Sequence, residues 1–296
     1  GAGGAVHARL GGAGMTARDD VSLGLLKDLP AEKYHAIQAM SAGGLKRMRI
    51  SPAHFYGIQI DPNRPPPSDP TPAMRNGTLV HCAIFEPDQV AARYVVKPDG
   101  MSFASKEGKA WREANAAREP VDAGQMAAAL AQAAALRRLP DVAALLSEGY
   151  GESSAFWIDE ATGELCKCRP DWCSPAGEGV VLLDGKTCQD ASPDGFSRAV
   201  WNFDYWLQAA WYSDGFEAAT GLRVHGFVFA AVESAWPHAA AAYMLGDDVL
   251  DRARVENRRL LDLYAECKRT GVWPGYGSGL QLINLPKWAK FKDDTQ

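Results

Sequence analysis

Two short segments of the sequence carry the side chains best suited to chemistry, Arg169-Pro-Asp171 and Asp184-Gly-Lys186. Two carboxylates can hold a hard divalent cation such as Mg²⁺, which typically binds through one or two acidic side chains and keeps several waters. A cation held in this way activates water and neutralises charge that develops on phosphorus. The pair Asp171 and Asp184 therefore predicts metal-assisted hydrolysis of a phosphodiester.

Lys186 follows Asp184 by two residues, so both side chains leave the same face if this segment is a strand. An ammonium beside the carboxylate can orient water or stabilise charge in the transition state. The carbonyl of Gly185 is a further candidate metal ligand. Taken alone, the segment also fits a surface hairpin with a solvated ion pair, and that alternative stays open.

The elements that must position these residues belong to an α/β pattern. The apolar run at residues 180–184, VVLLD, predicts a buried central strand. Residues 153–159 and 164–169 predict a β-hairpin, and residues 224–233 predict a strand with a possible hairpin partner at 240–245. The predicted helices lie at residues 41–48, 74–85, about 192–219 and 247–270, with two or three more between 106 and 146. In such folds active sites lie where buried strands end.

Composition narrows the class of protein. A chain of 296 residues with 47% hydrophobic residues can form one large domain, which we expect at residues 15–296. Residues 1–14, rich in glycine and alanine, predict a tag remnant or a disordered leader. The net charge of −5 excludes the broad basic field of a non-specific nucleic-acid coat. No apolar run is long enough for a membrane span, and six scattered cysteines suit a reducing cytoplasm.

Other polar residues are weaker candidates, and each has a structural alternative. His81 ends an apolar helical segment and could instead be a core histidine. Glu152 opens the first hairpin strand, with Glu164 as its rival, and could be an exposed charge. Gln208 and Tyr212 share one helical face, where they could bind DNA, contact the lysine region or simply pack.

Together these features resemble the PD-(D/E)xK nucleases of recombination. The resemblance is carried by Gly77-Thr-Leu-Val-His81, Glu152, Pro170-Asp171, Asp184-Gly-Lys186 and the QxxxY segment from Gln208 to Tyr212. It is closest to the exonuclease VIII (RecE) C-terminal nuclease and its phage relatives, more distant to lambda exonuclease and the RecB nuclease domain, and spans residues 34–288. It implies a restriction-endonuclease-like PD-(D/E)xK core, a mixed central β-sheet flanked by helices, with a helical N-terminal elaboration.

The resemblance also implies a site and an activity. The residues that match those around the metal of such nucleases are His81, Glu152, Asp171, Asp184 and Lys186. We expect an exonuclease that uses Mg²⁺, with Mn²⁺ as a substitute, to digest linear double-stranded DNA from 5′ to 3′. It would release 5′ mononucleotides and leave 3′ tails for a single-strand annealing protein of the RecT or beta type. The resemblance further implies a homo-oligomeric ring, a trimer or tetramer, in bacterial cytoplasm or encoded by a phage.

Two functional alternatives stay open, because one fold hosts many activities. The first is a PD-(D/E)xK endonuclease of the restriction-like or structure-specific kind. The second is a DNA-end-binding module without catalysis, which an intact set of two aspartates and a lysine disfavours.

Two residues are candidates for phosphate binding. Ser41 begins a glycine-rich helix start, whose amides could hold an anion, and the resemblance to lambda exonuclease places it near a terminal DNA phosphate. A plain N-cap explains Ser41 equally well. Arg169 is the second candidate. We expect no iron–sulfur cluster at Cys166, Cys168 and Cys173, because the C-terminal region offers only Cys267, and we interpret these cysteines as small apolar fillers.

Overall fold

The computed structural model describes residues 21–277 and 279–286, so the predicted leader at residues 1–14 lies outside the described residues. The strands are β1 (Gly24–Leu26), β2 (Tyr94–Val96), β3 (Glu119–Val121), β4 (Tyr150–Gly151), β5 (Ser154–Ile158), β6 (Leu165–Cys168), β7 (Trp172–Ala176), β8 (Gly179–Cys188), β9 (Arg223–Glu233) and β10 (Ala240–Met244).

Helices surround these strands. They are α1 (Ala31–Ala36), α2 (Ala42–Ile50), α3 (Pro52–Gln59), α4 (Pro72–Phe85), α5 (Val90–Arg93), α6 (Lys106–Ala114), α7 (Ala123–Arg137), α8 (Pro140–Ser147), α9 (Pro193–Asn202), α10 (Tyr205–Thr220) and α11 (Asp247–Thr270), with a 3₁₀ turn at Pro87–Gln89. None of the described helices combines the length and apolar character that a membrane crossing requires.

The main sheet has five strands in the order β10-β9-β8-β7-β4, which places β8 at its centre. β8 runs parallel to β9 and antiparallel to β7, and the outer pairs are antiparallel. Its Val-Val-Leu-Leu start is apolar on both faces, as a strand covered on both sides requires. The predicted mixed sheet flanked by helices is confirmed.

Helices cover both faces of this sheet. Because side chains alternate along a strand, Leu182 packs into a core with α2, α9, α10 and α11, whereas Leu183 packs into a second core with α4, α7 and α8. A second sheet, β1-β5-β6, contains the predicted hairpin of β5 and β6 and shares the first core. The two cores therefore pack against opposite faces of β8, and helices cover both.

The structure differs from the sequence-based predictions at several elements, and three of these differences lie close to the residues singled out for chemistry. The predicted helix at 192–219 is two helices, because Asp204 adopts a left-handed conformation with φ of 53° and its carboxylate pairs with Arg49 at 3.0 Å. The central strand continues beyond residue 184 to Cys188, so Asp184 lies within it and not at its end. β7, which contains Pro175, was not predicted.

Candidate active site

β8 presents Asp184 and Lys186 on the face that α10 covers. The Lys186 ammonium contacts Asp184 Oδ2, and the amide of Gln208 on α10 donates to Asp184 Oδ1 at 2.6 Å. Asp184 is only 1% exposed. Burial, followed by the charge of Asp171, raises the pKa of Asp184 to about 6 even though Lys186 opposes this shift. Burial lowers the pKa of Lys186, but the nearby carboxylates outweigh it and raise that pKa overall.

Asp171 immediately precedes β7, and its carboxylate contacts β8 at Gly185, the residue after Asp184. Its Oδ2 accepts a hydrogen bond from the backbone amide of Gly185 at 2.8 Å, and its Oδ1 lies 3.1 Å from His81 Nε2. Burial alone would raise the pKa of Asp171, but His81 and Lys186 hold it below its ordinary value. The two aspartates therefore differ in acidity, with Asp171 the more readily ionised.

His81 enters the site from α4. Its Nδ1 lies 3.6 Å from Glu152 Oε1, and its ring lies 4.8 Å from the ring of Phe85, one helical turn away. Burial opposes the charged form, but Asp171 and Glu152 raise the pKa of His81 to about 9. In this arrangement His81 is an imidazolium that bridges two carboxylates.

Glu152 lies in the link between β4 and β5, in a left-handed conformation with φ of 55°. Its backbone amide donates to the Asp171 carbonyl at 3.2 Å, and its Oε2 accepts from Arg169 Nε at 2.6 Å. Arg169 also donates to the Leu29 carbonyl and to Ser154 Oγ. The observed contacts of Arg169 orient Glu152. Its role in phosphate binding stays a prediction.

The structure brings together His81, Glu152, Asp171, Asp184 and Lys186, as predicted from the sequence. It does not bring in Glu164, whose carboxylate pairs with Lys268 at 2.6 Å, on α11. Of the two upstream glutamates, Glu152 is the one at the site.

Gly185 lies between Asp184 and Lys186, and the structure explains why this position is a glycine. A Cβ at this position would lie 2.9 Å from Phe85 Cε2 and 3.7 Å from Ile84 Cδ1. The Phe85 ring therefore fills the space of the missing side chain, and the same ring packs on His81. The glycine and the phenylalanine form one packing unit behind the site.

Three of the residues predicted to bind DNA, Gln208, Tyr212 and Ser41, make other contacts in the structure. Gln208 is buried and is occupied by its hydrogen bond to Asp184. Tyr212, one turn later, is half-buried and packs edge-on against Phe227 at 5.9 Å. Ser41 caps α2 by accepting from the Gly44 amide at 3.2 Å, and it lines a cavity of about 1430 Å³ between α2 and α11 together with Tyr212.

The donor chemistry fits a hard divalent cation. His81 lies between the carboxylates of Glu152 and Asp171. The buried Asp184 Oδ2 has no hydrogen-bond donor among the described residues other than the contacting ammonium of Lys186. As their side chains stand, no group of three or more acidic, histidine or cysteine residues within 21–277 and 279–286 is arranged so that it could hold a metal ion. His81 and Lys186 instead neutralise the carboxylates.

Cys166, Cys168 and Cys173 are buried in the first core, with exposures of 0%, 0% and 1%. This agrees with their interpretation as apolar fillers of β6 and β7. Burial raises the pKa of each thiol, which disfavours the thiolate that metal binding and nucleophilic chemistry require.

Comparison with known proteins adds a family. Residues 41–286 match the model of a family described as a PDDEXK-like domain of unknown function (DUF3799). Among solved structures, the chain is similar to one described as a "Putative exonuclease" from Eubacterium rectale, with 16% identity, a TM-score of 0.54, and coverage of 90% of this chain and 98% of that one. An alkaline exonuclease from Laribacter hongkongensis aligns at 14% identity, a TM-score of 0.26, and 62% and 96% coverage. A comparison with proteins of curated function finds no match.

The likeness to the Eubacterium rectale structure shows that the fold is shared. The family match spans the greater part of the chain and includes all five residues that converge at the site, which supports a nuclease-type enzyme and confirms the resemblance found in the sequence. The chain belongs to the PDDEXK-like family.

Proposed function

We propose that this protein is a divalent-metal-dependent exodeoxyribonuclease that digests linear double-stranded DNA. The observation that carries the proposal is the meeting of Asp171, Asp184 and Lys186 at one point of the main sheet, with His81 and Glu152 beside them. An exonuclease is favoured over other nucleases because the similar structure from Eubacterium rectale is described as one.

Within this proposal each side chain has a task. Asp171 and Asp184 would hold the cation, with Glu152 and the Gly185 carbonyl as further ligands. His81 could join them only after its imidazolium loses a proton, which the approach of a cation favours. When bound, Mg²⁺ or Mn²⁺ would supply an activated water and neutralise charge on phosphorus. Lys186 would donate to a phosphate oxygen as negative charge develops there.

Two other residues prepare this arrangement. Gln208 fixes the rotation of the Asp184 carboxylate through its 2.6 Å hydrogen bond, and Arg169 does the same for Glu152. Both orienting side chains are held by packing or by second hydrogen bonds, so the carboxylates are positioned before a substrate arrives.

The finer parts of the proposal rest on the resemblance to recombination nucleases. These are a preference for Mg²⁺, digestion from 5′ to 3′, release of 5′ mononucleotides, and 3′ tails passed to a RecT-type or beta-type annealing protein. A homo-oligomeric ring in the cytoplasm of a bacterium, or of a cell infected by a phage, belongs to the same set.

The test compares linear duplex DNA, labelled at one end or the other, with covalently closed circular duplex in Mg²⁺. In Mg²⁺ we expect the linear substrate to lose its 5′ label and to be digested to mononucleotides, and the circle to stay intact. In EDTA we expect all activity to be lost. Nicking or linearisation of the circle would show an endonuclease instead. Asp184→Ala is the control, and cleavage by that variant at the wild-type rate would overturn the site assignment.

A further inference from the structure

Lys46 is a second lysine beside the proposed catalytic centre. It projects from α2 towards the first residue of α10, where its ammonium lies 5.1 Å from the centre of the Tyr205 ring. The ammonium of Lys186 lies 4.7 Å from the centre of the same ring. One aromatic ring therefore contacts two cations, and one of these belongs to the site.

The two lysines differ in how their charge is balanced. Lys186 is paired with Asp184, and the neighbouring Arg49 of α2 is paired with Asp204. Lys46 forms no ion pair with a carboxylate in the described part of the chain, although it is half-buried. Burial, followed by repulsion from Lys186, lowers the pKa of Lys46 to about 8, and Asp184 and Asp204 offset this only in part.

Lys46 is also separate from the helix start that the sequence suggested as an anion site. Ser41 and Arg47 line the large cavity between α2 and α11, whereas Lys46, at the next position, does not line it and points to Tyr205. Successive residues of a helix are rotated by about 100°, so neighbours serve different surfaces. The basic segment of α2 thus divides into two parts.

A half-buried ammonium beside another cation is stabilised by an anion, and a backbone phosphate is the anion that a nuclease substrate offers beside its scissile bond. We propose that Lys46, supported by the ring of Tyr205, binds a non-bridging phosphate oxygen of the nucleic acid at a linkage next to the one that is hydrolysed. This inference rests on the proposed function. It makes Lys46 a positioning residue that sets where the strand lies across Asp184 and Lys186.

The first test measures binding of a labelled duplex in EDTA, where metal-dependent cleavage is absent. We expect Lys46→Met to weaken binding by about tenfold and to reduce the slope of log Kd against log salt by about one phosphate contact. Lys46→Arg, which keeps a cation, should retain most of the affinity. Lys109→Met, at an exposed position on α6, is the matched control and should behave as wild type.

The second test locates the phosphate. Single linkages near the end of the duplex are replaced one at a time by neutral methylphosphonates. We expect one replacement to weaken binding of the wild type and to have no further effect on Lys46→Met, because the lost charge pair is the same in both. Equal losses in wild type and Lys46→Met at every position, or an unchanged salt slope, would overturn the proposal.

The two proposals fail separately. Salt-dependent binding that changes with Lys46 in a protein that never cleaves DNA would refute the nuclease and keep the phosphate contact. Normal cleavage with wild-type KM and salt slope in a folded Lys46→Met variant would refute the contact and keep the nuclease. Circular dichroism and urea unfolding establish whether each variant is folded. If Lys46→Met does not fold, the comparison of Lys46→Arg with wild type decides the outcome.

Discussion

Lys167 is buried on β6 and Lys186 is half-buried on β8, and the two ammonium groups have opposite surroundings. The Lys167 ammonium donates to the carbonyls of Tyr34 and Ile37 at 2.7 and 2.8 Å, and burial lowers its pKa to about 8. The Lys186 ammonium lies among carboxylates that raise its pKa. The first lysine ties α1 to β6, whereas the second completes a site that can act on a phosphate.

The acceptors around a lysine ammonium inside the protein determine what that ammonium can do. Neutral carbonyls satisfy its hydrogen bonds and leave nothing for a substrate. Carboxylates at a strand centre, by contrast, are ligands that a divalent cation can take over, after which the ammonium is free to meet a phosphate. The following predictions test whether this division is correct.

The largest effect is expected on replacing Lys186. Lys186→Met should lower the rate of linear duplex cleavage by about 10²–10³-fold, because one donor to developing charge is lost. The rate is measured in single-turnover experiments with saturating protein. The same measurement on Lys167→Met should stay within about threefold of wild type, and an equal loss in both variants would remove the distinction between the two lysines.

Replacing Lys167 should instead destabilise the fold. Lys167→Met leaves two backbone carbonyls without a donor, so we expect the free energy of unfolding to fall by about 2–3 kcal/mol. Urea denaturation followed by circular dichroism measures this change. Lys109→Met, at an exposed position, controls for removal of a lysine charge, and an unchanged midpoint for Lys167→Met would contradict the structural role.

Gly185 tests the packing behind Lys186. Gly185→Ala should lower the free energy of unfolding by about 1–3 kcal/mol, because its methyl group would meet the Phe85 ring at 2.9 Å. Phe85→Leu in the same chain should recover part of the loss, giving a favourable coupling energy. Gly57→Ala, which has no atom within 4 Å of its added Cβ, is the control. Additive losses at 185 and 85 would show that the two positions do not share space.

The most gradual effect concerns pH. Because burial lowers the pKa of Lys167 from 10.5 to about 8, the folded protein loses this proton before the unfolded chain does. Between these two values the unfolded state binds more protons, so the contribution of Lys167 to the free energy of unfolding rises with pH, by up to about 1 kcal/mol per unit. The difference between wild type and Lys167→Met in urea should increase from pH 8 to 10, and a constant difference would show an unperturbed lysine.

Much of the fold could be predicted because its apolar patterns are local. The run at 180–184, the hairpin of β5 and β6, and α11 all follow from spacing and turn residues within one segment. The break at Asp204 could not be predicted, since no local pattern marks its left-handed conformation and its ion pair is with Arg49, which is distant in the chain. β7 was missed because Pro175 disfavours a strand in the sequence.

The same limit applies to the site. Asp171, Asp184 and Lys186 could be proposed from residue type and close spacing, and His81 and Glu152 only from the resemblance to a family. The choice of Glu152 over Glu164 required the structure, because each glutamate lies just before a strand of the hairpin and the sequence does not show which one is near His81. The proposed role of Lys46 had no distinguishing signal in the sequence, since it rests on the contact with Tyr205, on another helix.

The central place of β8 has a consequence for how the protein can be controlled. Asp184, Gly185 and Lys186 pair with Phe229, Ala230 and Ala231 of β9, and the amide of Gly185 donates to Asp171, so we expect their backbone amides to exchange slowly with solvent. The acid and the ammonium cannot be withdrawn by melting a loop. We therefore expect control of this protein to act on the arrival of the substrate or of the cation, and not on the backbone that carries Asp184 and Lys186.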